Sequence, residues 1–199
     1  RGEGLAPHVT MALIYVDDLL VASTPNNPDE KDLLRRLRQE FTVTGGDDLD
    51  YYLGGDVVRH RQNRTMTIDQ RQFIKDICNG YLGTAPRLST PTMLPPKFKP
   101  TKADCPQTEA EQLKFKANAK KYRTTVGQLL YVYRYTRPDI GDPMSVLGRF
   151  TANPGPVHVK ALRHLCHYLM NTIDVCIEYG PIEGKDVNVL EGYEKFLES

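Results

Sequence analysis

Short apolar runs open the chain. Val9 to Val16 and Leu19 to Ala22 are β-branched or apolar and too brief for a helix of ordinary length, which predicts two strands joined as a hairpin with Asp17 and Asp18 at its tip. The period then changes. From Pro28 to Phe41, the residues Leu33, Leu34, Leu37 and Phe41 fall on one apolar stripe of a helix. Asn27 stands where an N-cap belongs, Pro28 at the first helical position, and Asp29 and Glu30 in the first turn. Leu49 to Val58 and Arg64 to Ile68 read as strands separated by a Gln62-Asn63 turn. Gly54-Gly55 interrupts the first of them, as a bulge or a close backbone approach would. A helix from about Asp69 to Tyr81 follows, with Phe73, Ile74 and Ile77 as its apolar face.

The second half is helical after a break. Thr84 to Pro106 carries prolines at 86, 91, 95, 96, 100 and 106, which block helix interiors and sheet ladders and predict a linker crossing the surface. Helical periodicity resumes near Thr108, and Val126, Leu129, Leu130 and Tyr133 keep i, i+3, i+4, i+7 spacing. Thr136 to Asp139 has the form of a capping box for a helix burying Ile140, Met144, Leu147 and Phe150. Pro143 predicts that this helix starts late or kinks, because proline in a helix interior costs about 3 kcal/mol. The last helix, Pro156 to Asn171, gathers Leu162, Leu165, Cys166 and Leu169 on one face and Lys160, Arg163, His164 and His167 on others, before a short strand from Val175 to Tyr179. The pattern is α+β: an antiparallel sheet with packed helices, followed by a small helical region.

Composition fits a folded chain, since 199 residues with 40% hydrophobic content suffice for one core or two small ones. The net charge of +1 conceals an asymmetry. Lys97 to Arg123 holds eight Lys and Arg against Asp104, Glu109 and Glu111, and could serve either as a solvated linker or as a nucleic-acid groove. Asp174 to Glu198 is acidic. The four cysteines, at 78, 105, 166 and 176, form no Cys-x-x-Cys pair, and no leading apolar segment is present, so reduced thiols in an intracellular protein, cytoplasmic or nuclear, are expected. His164, Cys166, His167 and Cys176 match no usual zinc spacing. No run of eighteen apolar residues marks a membrane span.

The chemistry concentrates at Asp17 and Asp18. Adjacent carboxylates repel unless a cation lies between them, and hard divalent ions such as Mg²⁺ take oxygen ligands of this kind. Asp is also common at hairpin turns for backbone reasons alone.

Several blocks agree, in order, with one family. Tyr15-Val16-Asp17-Asp18 resembles the catalytic hairpin of reverse transcriptases, and the text after it resembles the copia-type retrotransposon polyprotein. The further blocks are Tyr52-Leu53-Gly54 after Phe41, Gln70 to Ile74, Thr90-Pro91-Thr92-Met93, Val126-Gly127-Gln128-Leu129-Leu130-Tyr131 after Tyr122-Arg123, Thr136-Arg137-Pro138-Asp139-Ile140, and Asn153-Pro154-Gly155-Pro156 with His158. The resemblance covers roughly residues 9–180, and its specificity lies in the succession.

The resemblance implies a palm-type sheet and thumb of an RNA-directed DNA polymerase. It divides the chain into the C-terminal part of the palm with the start of the thumb over 1–83, a linker over 84–121, a helical thumb or connection region over 122–180, and an acidic tail over 181–199 placed before an RNase H domain. Asp17 and Asp18 would be the catalytic and metal-holding pair for Mg²⁺, or Mn²⁺, in two-metal nucleotidyl transfer. Tyr15 and Val16 would floor the primer terminus, and Leu53, Gly54 and Gly55 would contact the primer. Arg59, Arg61 and Arg64 could meet phosphates, as could Lys160 and Arg163 if the last helix lies along a duplex rather than on the surface of a bundle. The family's third metal-binding aspartate and its fingers have no counterpart here. The resemblance therefore implies a template-primer as partner, the missing palm and fingers joining in trans, and impaired turnover for the chain alone. The alternative is a non-catalytic nucleic-acid-binding relic or a pseudogene product.

Overall fold

The computed structural model describes residues 9–24, 27–45, 48–84 and 86–181. It divides into two compact units, residues 1–53 and 54–199.

In the first unit, β1 (Thr10–Tyr15) and β2 (Asp18–Ser23) pair antiparallel from Thr10↔Ser23 to Tyr15↔Asp18. Helix α1 (Pro28–Glu40) begins as its capping residues predict. The buried Asn27 accepts from the Asp29 amide at 3.0 Å and donates through Nδ2 to Thr10 Oγ1 at 2.8 Å, so one side chain caps the helix and ties it to β1. Ser23 adds a hydrogen bond to the Glu30 carboxylate. Leu33, Leu34 and Leu37 are half-buried, but Phe41 has left the helix for an extended backbone and is 66% exposed. The strand expected over 49–58 is divided. Its first piece, β3, is Tyr51–Tyr52, and Leu53 and Gly54 follow with φ of 47° and 77°. Left-handed backbone cannot continue a pleated strand, so Gly54 belongs to a tight turn rather than to a bulge.

The second unit carries β4 (Gly55–His60), β5 (Thr65–Asp69) and β6 (Ile177–Tyr179), neighbours in that order and antiparallel, with Val57↔Ile68 and Ile68↔Ile177 in register. The same unit carries α2 (Arg71–Leu82), α3 (Glu109–Tyr135), α4 (Gly141–Gly148) and α5 (Pro156–Asn171), which pack chiefly on one another. The core is helical: Ile74, Ile77 and Cys78 of α2 meet Tyr122, Val126 and Leu129 of α3, with Leu147 of α4 and Leu162, Leu165 and Leu169 of α5. The Tyr122 hydroxyl donates to the Leu147 carbonyl at 2.8 Å, which satisfies a buried polar group and joins α3 to α4.

Two expectations are corrected here and two refined. Helix α3 is continuous from Glu109, opened by a capping box between Thr108 and Glu111, so the linker ends near 107 and Lys114 to Lys121 are helical. The proline-rich segment is a strap bonded along α5. Leu88 N–H donates to His167 Nδ1 at 3.3 Å, Asn171 Nδ2 donates to the Leu88 carbonyl at 3.0 Å, and His164 Nε2 lies 2.8 Å from the Thr92 carbonyl. Thr136 and Asp139 make no capping box. The Thr136 hydroxyl donates instead to Gln70 Oε1 at 2.9 Å, and Asp139 is held by Arg137. Helix α4 starts late, at Gly141 after a 3-10 turn over Pro138–Ile140, and Pro143 is its third residue, where a missing N–H is one of the orphans anyway, so the helix is not broken there. Among the described residues no helix is long and apolar enough to cross a membrane.

Candidate metal and nucleic-acid site

The β1–β2 hairpin turns through two residues, Val16 and Asp17, between the closing pair Tyr15 and Asp18. Val16 has φ of 56°. Positive φ at the first central position matches a type II′ turn, which normally holds glycine there, and a β-branched residue in that region is strained by ~1–3 kcal/mol. Strain of this kind persists where surrounding structure or function requires it. Opposite residues share a face, so Asp18 lies with Tyr15, Leu13 and Leu20, while Thr10 and Ser23 on the other face bond to the α1 side. Both aspartates are exposed, as are Leu13 at 57%, Tyr15 at 57% and Ile14 at 72%. The hairpin thus presents two adjacent carboxylates beside a bare apolar strand.

Replacing Val16 with glycine is expected to stabilise the hairpin by about 1 kcal/mol, the relieved strain exceeding the added chain entropy. Amide exchange in β1 and β2 should slow; faster exchange would show that the left-handed backbone is unstrained.

Carboxylate oxygens fit a hard divalent ion, and Mg²⁺ is commonly held by one or two carboxylates with water and substrate phosphates completing its shell. Among the described residues no three His, Cys, Asp or Glu side chains gather to hold a metal. Asp17 and Asp18 by themselves would make up at most part of such a donor set.

The other candidate residues are spread. Leu53 is left-handed at the end of the first unit, followed by Gly54 at the start of the second. Gly55 is buried, and a Cβ there would lie 2.8 Å from the Tyr135 ring, so its lack of a side chain is needed for packing. Arg59 is on β4 opposite Met66, whereas Arg61 and Arg64 lie in the exposed turn to β5, Arg64 with φ of 55°. Lys160 is exposed and Arg163 half-buried on α5. His164 and His167 are engaged by the strap, and burial pushes the His167 imidazole below its ordinary range, with Arg163 and His164 adding to the effect. His167 is thereby kept as a neutral acceptor.

Sequence reasoning missed two structural constellations. Arg137, fully buried, donates Nε and Nη2 to the two Asp139 oxygens at 2.9 and 2.8 Å and bonds to Thr172 O and Oγ1 at 3.0 and 2.8 Å. Gly155 meets the Asp104 carbonyl so closely that a Cβ would stand 1.9 Å from it. The Gly155 N–H donates to Nδ1 of the buried His158 at 2.9 Å, whose ring stacks on Phe150 at 4.1 Å. An Arg-Pro-Asp triplet and an Asn-Pro-Gly-Pro turn were the available signals.

Comparison with known proteins gives the class first: over most of its length the chain is a homologue of retrotransposon Pol polyproteins. It is 32% identical over 188 residues to the retrovirus-related Pol polyprotein from transposon TNT 1-94 of Nicotiana tabacum, covering 91% of this chain and 13% of that protein. A transposon Ty5-1 protein of Saccharomyces cerevisiae is 32% identical over 171 residues, 83% of this chain and 50% of the relative. The Pol polyprotein from transposon RE1 of Arabidopsis thaliana is 31% identical over 169 residues, 82% and 10% respectively. The chain therefore spans between a tenth and a half of the length of these relatives. No protein-family model matches it, and no solved structure does.

Proposed function

We propose that this chain is the palm-to-thumb segment of a retrotransposon reverse transcriptase, with Asp17 and Asp18 as metal-holding carboxylates. The observation that carries the reading is the strained two-residue turn that sets both acids at the tip of an apolar hairpin, within a segment similar to Pol polyproteins. Mg²⁺ or Mn²⁺ bound there would lower the barrier to attack by a primer 3′ hydroxyl and stabilise the leaving pyrophosphate. Asp17, at the tip, is the principal ligand and Asp18 its partner. Tyr15, on the same face as Asp18, would support the primer terminus, and the Leu53-Gly54 turn with Gly55 would guide the primer strand. Arg59, Arg61 and Arg64 would neutralise phosphates.

With no three His, Cys, Asp or Glu side chains grouped among the described residues, the chain alone is expected to hold the ion weakly and to extend no primer. Joined to a segment that supplies a further carboxylate, it would do so. Primer extension on an RNA template with Mg²⁺ or Mn²⁺, beside Asp17→Asn, tests both statements. Incorporation by the isolated chain that vanishes in Asp17→Asn would overturn the expected inactivity and support the metal assignment. Incorporation indifferent to Asp17 in a reconstituted enzyme would defeat the assignment itself.

A further inference from the structure

Two hollows run side by side between the strap and α5, with volumes of about 390 and 300 Å³, and share Pro95 and Lys160. We propose that this groove is a binding site for unpaired nucleic acid, taking a base against its apolar floor and the adjoining phosphates on Lys160, Arg163, Lys97 and Lys99. The inference rests on the nucleic-acid reading above for the class of polyanion, but uses no residue of the hairpin.

The floor of the larger hollow is Pro86, Leu88 and Pro95, rigid apolar surface of the kind on which a base can lie, at a size ordinary for a small-ligand pocket. Its two imidazoles are pinned, His164 by Thr92 and His167 by the Leu88 amide. Thr90 is 9% exposed, and its hydroxyl is buried with no hydrogen-bond partner among the described residues. That oxygen has no accessible surface, so the hollow presents carbon at Thr90 as well, and a bound base would be held by stacking on the apolar floor rather than by its edge.

The rim is cationic. Lys160 and Arg163 have no carboxylate partner among the described residues, and Lys97 and Lys99 line the second hollow. Lys97 lies in a turn closed by Phe98 N–H to the Pro95 carbonyl at 3.2 Å, with φ of 58° where glycine is usual. The one acid lining either hollow, Asp104, already accepts from the Thr101 amide and hydroxyl at 2.7 and 3.0 Å. Duplex bases are stacked and paired and cannot enter such a pocket, so the geometry favours a single strand.

The full chain would be titrated, by fluorescence anisotropy, with a labelled oligothymidine of about twelve nucleotides, an abasic strand of equal length, a blunt duplex and a poly-glutamate peptide. The oligothymidine is expected to bind at least about tenfold more tightly than the abasic strand. Lys160→Ala with Arg163→Ala should lower the log-log salt slope by about 1.4. Leu88→Ser, at a floor side chain that is 56% exposed, should weaken the base-bearing strand severalfold, leave the abasic strand unchanged and unfold no earlier than the parent. Equal binding with and without bases, preference for duplex or peptide, an unchanged salt slope, or an indifferent Leu88→Ser would each overturn the proposal. Primer extension reads the metal assignment and these titrations read the groove, so each can fail without the other.

Discussion

Replacing Asp139 with alanine is expected to destabilise the second unit by about 3–5 kcal/mol, the cost of leaving a buried charge without its counterion. Arg137 has no exposed side-chain surface, and its guanidinium loses both carboxylate bonds, keeping only Thr172 and the Tyr168 ring 5.7 Å away. The pair also links three places in the chain: the turn after α3, the end of α5 at Thr172 and, through the Tyr168 hydroxyl at 3.1 Å, the face of α5. Equilibrium unfolding in urea measures the loss. A change below 1 kcal/mol would mean that water reaches the guanidinium.

The same pair predicts an acid-sensitive step. Burial pushes the Asp139 carboxyl up, but the hydrogen bonds and charge of Arg137, helped by Tyr168, more than offset it and hold it below the usual aspartate range. A carboxyl depressed by folding contributes stability that is complete above its unfolded value and is lost as pH falls through its folded value. Stability should therefore fall on acidification below the ordinary aspartate range, and this portion of the fall should be absent in Asp139→Ala.

Local rules reached far into this fold. The hairpin, the Asn27 cap and the limits of α5 were legible because each depends on neighbours in sequence: apolar runs, a capping side chain, a proline at the first helical position. Long-range partners were not. Thr136 and Asp139 have the spacing of a capping box, yet Gln70 and Arg137 compete for them, and contacts made at distances of 66 residues or through a buried guanidinium leave no periodic trace. The docking of the strap was hidden for a similar reason. Prolines exclude helix and sheet, but they do not exclude docking, and His164, His167 and Asn171 provide the hydrogen bonds that fix it. At the hairpin the adjacent acids were evident, whereas the strain at Val16 required the backbone.

Gly155→Ala is expected to be nearly as damaging as loss of Asp139, by about 3 kcal/mol, since overpacking against rigid surroundings usually costs about 1–3 kcal/mol and here the obstacle is backbone. The φ of Gly155 is −102°, which any residue can adopt, so the requirement is for space and not for conformation. The added Cβ would stand 1.9 Å from the Asp104 carbonyl oxygen and 3.4 Å from Cys105 Cα. Either the strap must lift there or the start of α5 must shift. Lifting the strap would strain the Asn153 Nδ2 to Pro106 carbonyl bond of 2.9 Å, and shifting α5 would disturb the Gly155 amide to His158 bond that caps it. Both routes open the seam between the strap and α5 along which the proposed groove lies. Proteolysis between residues 100 and 108 should accelerate in Gly155→Ala, while Gly80→Ala, at a position in the same unit with nothing within 4 Å, should not change cleavage there. Unaltered unfolding and unaltered cleavage would mean that the backbone of the strap yields without cost, and that glycine at 155 serves something other than this contact.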